Sequence, residues 1–217
     1  MDLIYGLFGF FQKGGLFMYP ILFVFAIGMA IAVERWVQLG RVKSKNSKTW
    51  NHVQPILAEG DYSQARSMVE KDKSTVARML SMGLERQGAV RRREDIEIAM
   101  EESLMEIIPQ IERRTHYIAL LANIATLLGL LGTIMGLIEA FTAVANANPA
   151  EKADMLSASI SVAMNTTAFG LMSAIPLLLL HAKLTSTTGQ IIDSLEMASI
   201  KALNSFSSNA KRQFNAE

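Results

Sequence analysis

Three long apolar runs, separated by polar segments, dominate the pattern of this chain. Leu16–Val33 holds 18 residues, Ile118–Ile138 holds 21 without a formal charge, and Leu156–Leu180 holds 25, also uncharged. A helix needs about 20 residues, at about 1.5 Å each, to cross a hydrocarbon core of roughly 30 Å. The pattern therefore predicts three helices that span a membrane.

The polar segments between and after these runs also show helical patterning. Asp61 and Ser74 stand where side chains cap helices. From Glu94 onward, apolar residues recur at helical spacing with no break before the second run, which predicts one helix running into it. The residues after Lys183 repeat this spacing and predict a helical extension of the third run. The periodic positions after Glu94 are Ile96, Met100, Leu104, Ile107 and Ile111.

The pattern divides the chain into seven segments. An amphipathic segment at the membrane surface would use Leu3, Leu7, Phe10 and Phe11 as its apolar face; a poorly ordered tail is the alternative. The segments are 1–15 (amphipathic), 16–39 (first span), 40–115 (helical domain), 116–145 (second span), 146–155 (loop), 156–183 (third span) and 184–217 (helical tail).

Positive charges set the predicted orientation. The segment from Arg41 to Arg114 carries 14 Lys and Arg residues, whereas the 139–155 loop carries only Lys152 and the N-terminal tail only Lys13. Positive residues favour the cytoplasmic side of a membrane. We therefore expect a periplasmic N-terminus and loop, with the 40–115 domain and the C-terminus in the cytoplasm.

Composition and missing motifs argue against several classes of function. A net charge of +1 gives no reason to expect nucleic acid, and a chain without Cys has no thiolate chemistry or disulfides. Phosphate-loop, zinc-protease and serine-hydrolase motifs are absent from the sequence, and its three His residues are widely separated. We therefore expect no catalytic residues, no metal site and no cofactor.

Hydroxyl and amide side chains interrupt the third run. In hydrocarbon such groups must find partners on neighbouring helices or face water. A span this polar is expected inside a bundle or beside a pore, although any one hydroxyl can instead bond back to its own helix. The polar positions are Ser157, Ser159, Ser161, Asn165, Thr166, Thr167 and Ser173.

The second and third spans are expected to form an antiparallel pair. Counting back from the short loop places Thr133 and Thr167 at one depth near mid-membrane, where several subunits around an axis would form a polar ring. Glu139 then lies level with Val162, either as a proton acceptor or as an interfacial anchor. Small residues that let helices approach closely are expected at Gly129, Gly132, Gly136 and Gly170.

Two stretches carry a family resemblance. ERRTHYIALLANIATLLGLLGTIMGLIEAF resembles the second span of the MotA/TolQ/ExbB proton channel family, and ISVAMNTTAFGLMSAIP resembles its third. The order of segments agrees as well, and the resemblance covers nearly the whole chain. Three spans are typical of the ExbB/TolQ-like branch.

The resemblance implies an all-α membrane protein with long cytoplasmic helical extensions. The family assembles as a homopentamer around a central pore that encloses two copies of a single-span ExbD/TolR-like partner. Ion flow through it energises a cell-envelope process through a protein such as TonB or TolA. Thr133 and Thr167 fall on the family's pore threonines.

One departure from the family's sequence pattern leaves two candidates for the transported ion. Val162 stands where ExbB and TolQ carry a glutamate, while Thr166–Thr167 resembles the pattern of sodium-driven flagellar stators. Protons are the expected ion, with sodium as the alternative, and the Asp of the partner's span is the expected carrier. A non-conducting membrane scaffold or a transporter subunit is the competing function.

Overall fold

The computed structural model describes residues 14–89, 92–145 and 148–214, and all regular structure in these ranges is α-helical. The amphipathic face predicted at Leu3, Leu7, Phe10 and Phe11 lies outside them. The helices are α1 (Met18–Glu59), α2 (Tyr62–Lys71), α3 (Thr75–Ala89), α4 (Arg93–Glu112), α5 (Thr115–Ala145) and α6 (Lys152–Phe214).

Three helical stretches are long and apolar enough to cross a membrane. They lie in α1, in the stretch formed by α4 and α5, and in α6. Within the described residues, this confirms the predicted all-helical structure with three candidate spans. The 63 residues of α6 continue through Pro176, so the predicted helical extension of the third run is confirmed within the described residues.

The chain folds into two compact units. The apolar unit holds the residues up to Glu34 together with Arg114–Lys183, and the polar unit holds Arg35–Arg113 together with the residues from Leu184.

The buried faces of α5 and α6 in the apolar unit carry several alanines, together with larger residues such as Ile118 and Leu177. Ala122 and Ala125 of α5 and Ala163 and Ala174 of α6 are buried. Large apolar side chains cover the opposite faces of the same helices, and those of Leu127, Ile138 and Leu179 are each more than half exposed. Apolar surface on this scale needs lipid or protein to cover it.

The polar unit has an ordinary hydrophobic core. All five periodic residues predicted after Glu94 are buried in α4. They pack in the same unit as Val53 and Leu57 of α1, Met79 and Leu80 of α3, and Leu195 of α6, which are buried as well.

Both predicted helix caps are confirmed. Asp61 Oδ1 accepts a hydrogen bond from the backbone N–H of Gln64 at 2.9 Å, and Ser74 Oγ accepts one from Ala77 N–H at 3.2 Å. Each bond satisfies a backbone donor that the first turn of a helix leaves free.

A polar cluster secures the start of α3. Asn46 Oδ1 accepts from the backbone N–H of Val76 at 3.2 Å, and Thr49 donates to the Asp72 carboxylate. Partial desolvation raises the pKa of Asp72, but hydrogen bonds from Thr49 and Ser74, with the charge of Lys45, outweigh it, so the pKa lies below its ordinary value.

The prediction of an unbroken helix into the second span is wrong. Helix α4 ends at Glu112 and α5 begins at Thr115, and Arg114 between them has a φ of 67°. Non-glycine residues rarely adopt this left-handed conformation. In the apolar unit, Arg114 Nη1 forms an ion pair with Glu34 Oε1 at 2.9 Å, which helps to hold it there.

The Arg35 side chain is buried and hydrogen-bonded inside the polar unit. Arg35 is only 2% exposed. Within the polar unit it donates to the carbonyl of Ile111, near the end of α4, and to Gln38 Oε1 at 2.7 Å.

Candidate ion pathway in the membrane spans

Helices α5 and α6 touch backbone to backbone at a pair of glycines. A Cβ added to Gly170 would lie 2.8 Å from the carbonyl oxygen of Ala125 and 3.0 Å from the Cα of Gly129. A Cβ added to Gly129 would in turn lie 3.2 Å from the Cα of Gly170. Since backbone atoms cannot rotate away, no larger residue fits at Gly170 without separating the helices.

The same face of α5 continues toward its C-terminal end. A Cβ on Gly136 would lie 3.0 Å from the Cβ of Ala163, and one on Gly132 would collide with the methyl group of Thr166. All four glycines predicted to pack thus lie where α5 meets its neighbours. This contact fixes the relative register of the two helices.

The register brings Thr133 and Thr167 together. Their hydroxyl groups are hydrogen-bonded to each other, which confirms the predicted common level. Thr167 Oγ1 also lies 2.9 Å from the carbonyl of Gly129. Both side chains are half-buried.

The number of hydroxyl hydrogens on Thr133 and Thr167 decides which ligands the pair can bind. Each hydroxyl has one hydrogen to donate and two lone pairs. If Thr167 donates to the Gly129 carbonyl, Thr133 can donate to the Thr167 oxygen, so both hydrogens are used within the subunit. Lone pairs remain on both oxygens, and these can accept from water or ligate a cation.

Thr166 has different surroundings although it adjoins Thr167. It is 2% exposed, and its hydroxyl lies 2.5 Å from the carbonyl of Gly14 and 3.0 Å from that of Val162. The hydroxyl therefore faces the segment that leads into α1, inside the subunit. No pattern in the sequence indicates this long-range partner.

The other polar residues of α6 range from exposed to buried. Asn165 is half-buried, Ser157 and Ser161 are exposed, and Ser173 is 3% exposed. The exposed groups need water or another protein surface, because hydrocarbon cannot satisfy them. Val162, one turn before Thr166 on the same helix, is 37% exposed.

Glu139 lies far along α5 from the charges at the other end of the span. It is exposed, and no cation among the described residues pairs with it. At about 1.5 Å per residue it lies about 37 Å along the helix axis from Arg114, whereas Thr133 lies about 28 Å from it. With Arg114 taken as one edge of a hydrocarbon core of roughly 30 Å, Glu139 lies beyond the opposite edge and Thr133 lies close to that edge rather than near mid-membrane.

Comparison with known proteins points to one family. The sequence profile of the MotA/TolQ/ExbB proton channel family matches residues 71–197, more than half of the chain. These residues include α5 and the membrane-spanning part of α6.

Individual relatives agree with this match. An ExbB homolog of Methanothermobacter thermautotrophicus is 27% identical over 189 residues, covering 86% of this chain and 66% of that protein. ExbB-like protein 1 of Synechocystis is 29% identical over 189 residues, covering 84% and 72%. The Tol-Pal system protein TolQ of Haemophilus influenzae is 33% identical over 86 residues, covering 40% and 37%.

Proposed function

This chain belongs to the MotA/TolQ/ExbB proton channel family, and from that premise we propose that it is an ion-channel subunit of a motor in the bacterial inner membrane. The motor would use the proton motive force, or a sodium gradient, to energise a process in the cell envelope. We propose no catalytic role for this chain.

The observation that carries the proposal is the hydroxyl pair of Thr133 and Thr167. Two helices that touch at glycines hold these groups together, and both oxygens keep free lone pairs. Repeated around an axis, the pairs would form a belt of oxygens. Such a belt can replace part of the hydration shell of an ion or order a file of water.

The assembly we propose is the one that the family implies. Five copies would surround a pore that holds two copies of an ExbD/TolR-like partner, and a TonB/TolA-like protein would receive the work. The large exposed apolar faces of α5 and α6 are suited to contacts with neighbouring copies and lipid. The Lys and Arg distribution favours a periplasmic N-terminus and a cytoplasmic C-terminus.

The ion carrier would come from the partner. Residues 115–138 and 155–180 contain no acid, and Val162 occupies the family's glutamate position. A proton-carrying carboxylate beside the threonines must therefore be supplied by the Asp of the partner's span. Asn165 and the exposed serines of α6 would line the water-filled route to it, while Thr166 would join two segments of the subunit.

A pair of neighbouring substitutions tests the proposal. Thr167→Val keeps the volume and removes the hydroxyl, so ion flux through the complex with its partner should fall about tenfold or more, equivalent to about 1.4 kcal/mol in the barrier. Thr166→Val makes the same change inside the subunit. It should cost about 1 kcal/mol of stability, because a buried hydrogen bond is lost, and leave flux per assembled complex close to normal.

Flux is measured in proteoliposomes with an internal pH dye under an imposed membrane potential, with and without sodium. Subunit count and thermal unfolding serve as assembly controls. Normal flux in an intact Thr167→Val complex would remove the polar belt from the mechanism. Absence of flux even in the parent complex, with or without sodium, would favour the scaffold function, in which the threonines only pack.

A further inference from the structure

We propose that α1 carries a binding site for the headgroup of an anionic phospholipid just beyond its membrane span. The site is an open groove of about 450 Å³ within the polar unit. Its lining combines an aromatic ring, two cations, a hydroxyl group and a glycine on one helix. These residues are Trp36, Val37, Gly40, Arg41, Ser44 and Lys45.

The position of the groove along α1 matches the depth of the lipid headgroups. The apolar run ends at Val33, and Trp36 lies about 5 Å and Arg41 about 12 Å further along the helix axis. The headgroup layer is about 5–8 Å thick on each side of the hydrocarbon. Trp36 is 57% exposed and Val37 46% exposed, which places an aromatic ring where membrane proteins favour Trp.

The direction of the helix aims the cations at that layer. Side chains on a helix lean toward its N-terminus, and the N-terminal part of α1 is the part inside the membrane. The exposed Arg41 side chain therefore reaches back to the level of the phosphates, where its guanidinium can hold two phosphate oxygens at once. No acidic side chain among the described residues forms an ion pair with Arg41.

Gly40 leaves space beside Arg41. A Cβ added to Gly40 would meet no atom within 4 Å, so the groove floor is open there. Ser44 and Lys45 lie about 16 and 18 Å past the end of the apolar run, beyond the headgroup layer. Arg41 is therefore the cation of the groove that meets the phosphate.

The surrounding surface favours lipid over another protein as the occupant. In the apolar run of α1 that precedes the groove in sequence, Phe23 and Val33 are 68% and 56% exposed. Lipid tails suit that surface, and a cluster of cations directly past a span attracts anionic lipid by about 1 kcal/mol per charge. The inference needs α1 to span the membrane, but it does not depend on ion conduction.

A single tryptophan can report the lipid beside it. The chain has two Trp residues, so Trp50→Phe leaves Trp36 as the only indole. The protein is reconstituted into vesicles in which either the phosphatidylglycerol or the phosphatidylcholine carries brominated tails, at equal mole fractions. Bromine quenches nearby indole fluorescence, so the ratio of quenching gives the preference for the anionic lipid.

We expect a preference of about fivefold at low salt, because one cation, Arg41, lies within reach of the phosphates. Arg41→Gln should reduce it to near equality, whereas Lys48→Gln, an equal charge change one turn past the groove, should leave most of it. Equal quenching by both lipids in the parent would rule out a specific site for the anionic lipid. An equal loss of preference in the two variants would rule it out as well. Absence of quenching by either lipid would show that protein, not lipid, covers Trp36.

Discussion

Replacing Gly170 with alanine should loosen the contact between α5 and α6. The added Cβ would lie 2.8 Å from the Ala125 carbonyl oxygen and 3.0 Å from the Gly129 Cα. Carbon atoms pack best at about 3.5–4.0 Å, so the helices must part by about half an ångström. A gap of that size already removes about a quarter of the van der Waals attraction between the atoms on either side of it.

The expected change in the free energy of unfolding follows from two opposing effects. Overpacking costs about 1–3 kcal/mol, while alanine gains up to about 1 kcal/mol of helix propensity over glycine. The net expectation for Gly170→Ala is a loss of about 1–2 kcal/mol. Gly189→Ala on the same helix is the matched control, because its Cβ would meet no atom within 4 Å and only the propensity gain applies.

Thermal unfolding of both variants and the parent, in one detergent at one protein concentration, gives the comparison. The two substitutions are chemically identical, so a shared effect of detergent or helix propensity cancels in their difference. Gly170→Ala should unfold at a lower temperature than the parent and Gly189→Ala at the same or a higher one. If Gly170→Ala is as stable as Gly189→Ala, the close backbone contact does not exist in the protein.

Three further outcomes are expected. Single cysteines at the exposed positions Asn148 and Ser63, in this chain without Cys, should react with an impermeant reagent in intact cells only at Asn148; the reverse pattern would invert the topology. The pKa of Asp72 is lower in the folded protein, so its stabilising effect is present above its ordinary value of 3.8 and is lost as pH falls through the lowered folded value. Urea unfolding at several pH values should therefore show a smaller acid-dependent loss in Asp72→Asn, and an identical pH dependence would contradict this. Glu139→Gln should slow ion flux without abolishing it.

The sequence predicted those features that depend on local pattern or simple counting. Apolar runs located the three spans, and residue type located the caps at Asp61 and Ser74. The level shared by Thr133 and Thr167 came from counting back from a short loop, since both helices rise equally per residue.

Features that depend on distant partners could not be read from the chain. The hydroxyl of Thr166 bonds to Gly14, 152 residues away, so the two adjacent threonines look equivalent in sequence and differ in the fold. The break at Arg114 interrupts a helical pattern that has no proline or glycine at that point. The ion pair between Arg114 and Glu34 joins residues 80 positions apart, and the sequence alone could not assign that pairing.

Glu139 provides the sharpest test of where the ion carrier lies. At about 37 Å along α5 from Arg114, it is beyond a hydrocarbon core of roughly 30 Å, and it is about 9 Å along the axis from Thr133. An exposed carboxylate at that depth raises the local concentration of cations at the mouth of a pore but need not accept a transported proton. Glu139→Gln should therefore reduce flux at low salt more than at high salt, because salt screens this attraction. A complete loss of flux in an intact complex, equal at both salt concentrations, would instead assign the carrier to Glu139 and remove the need for the partner's carboxylate.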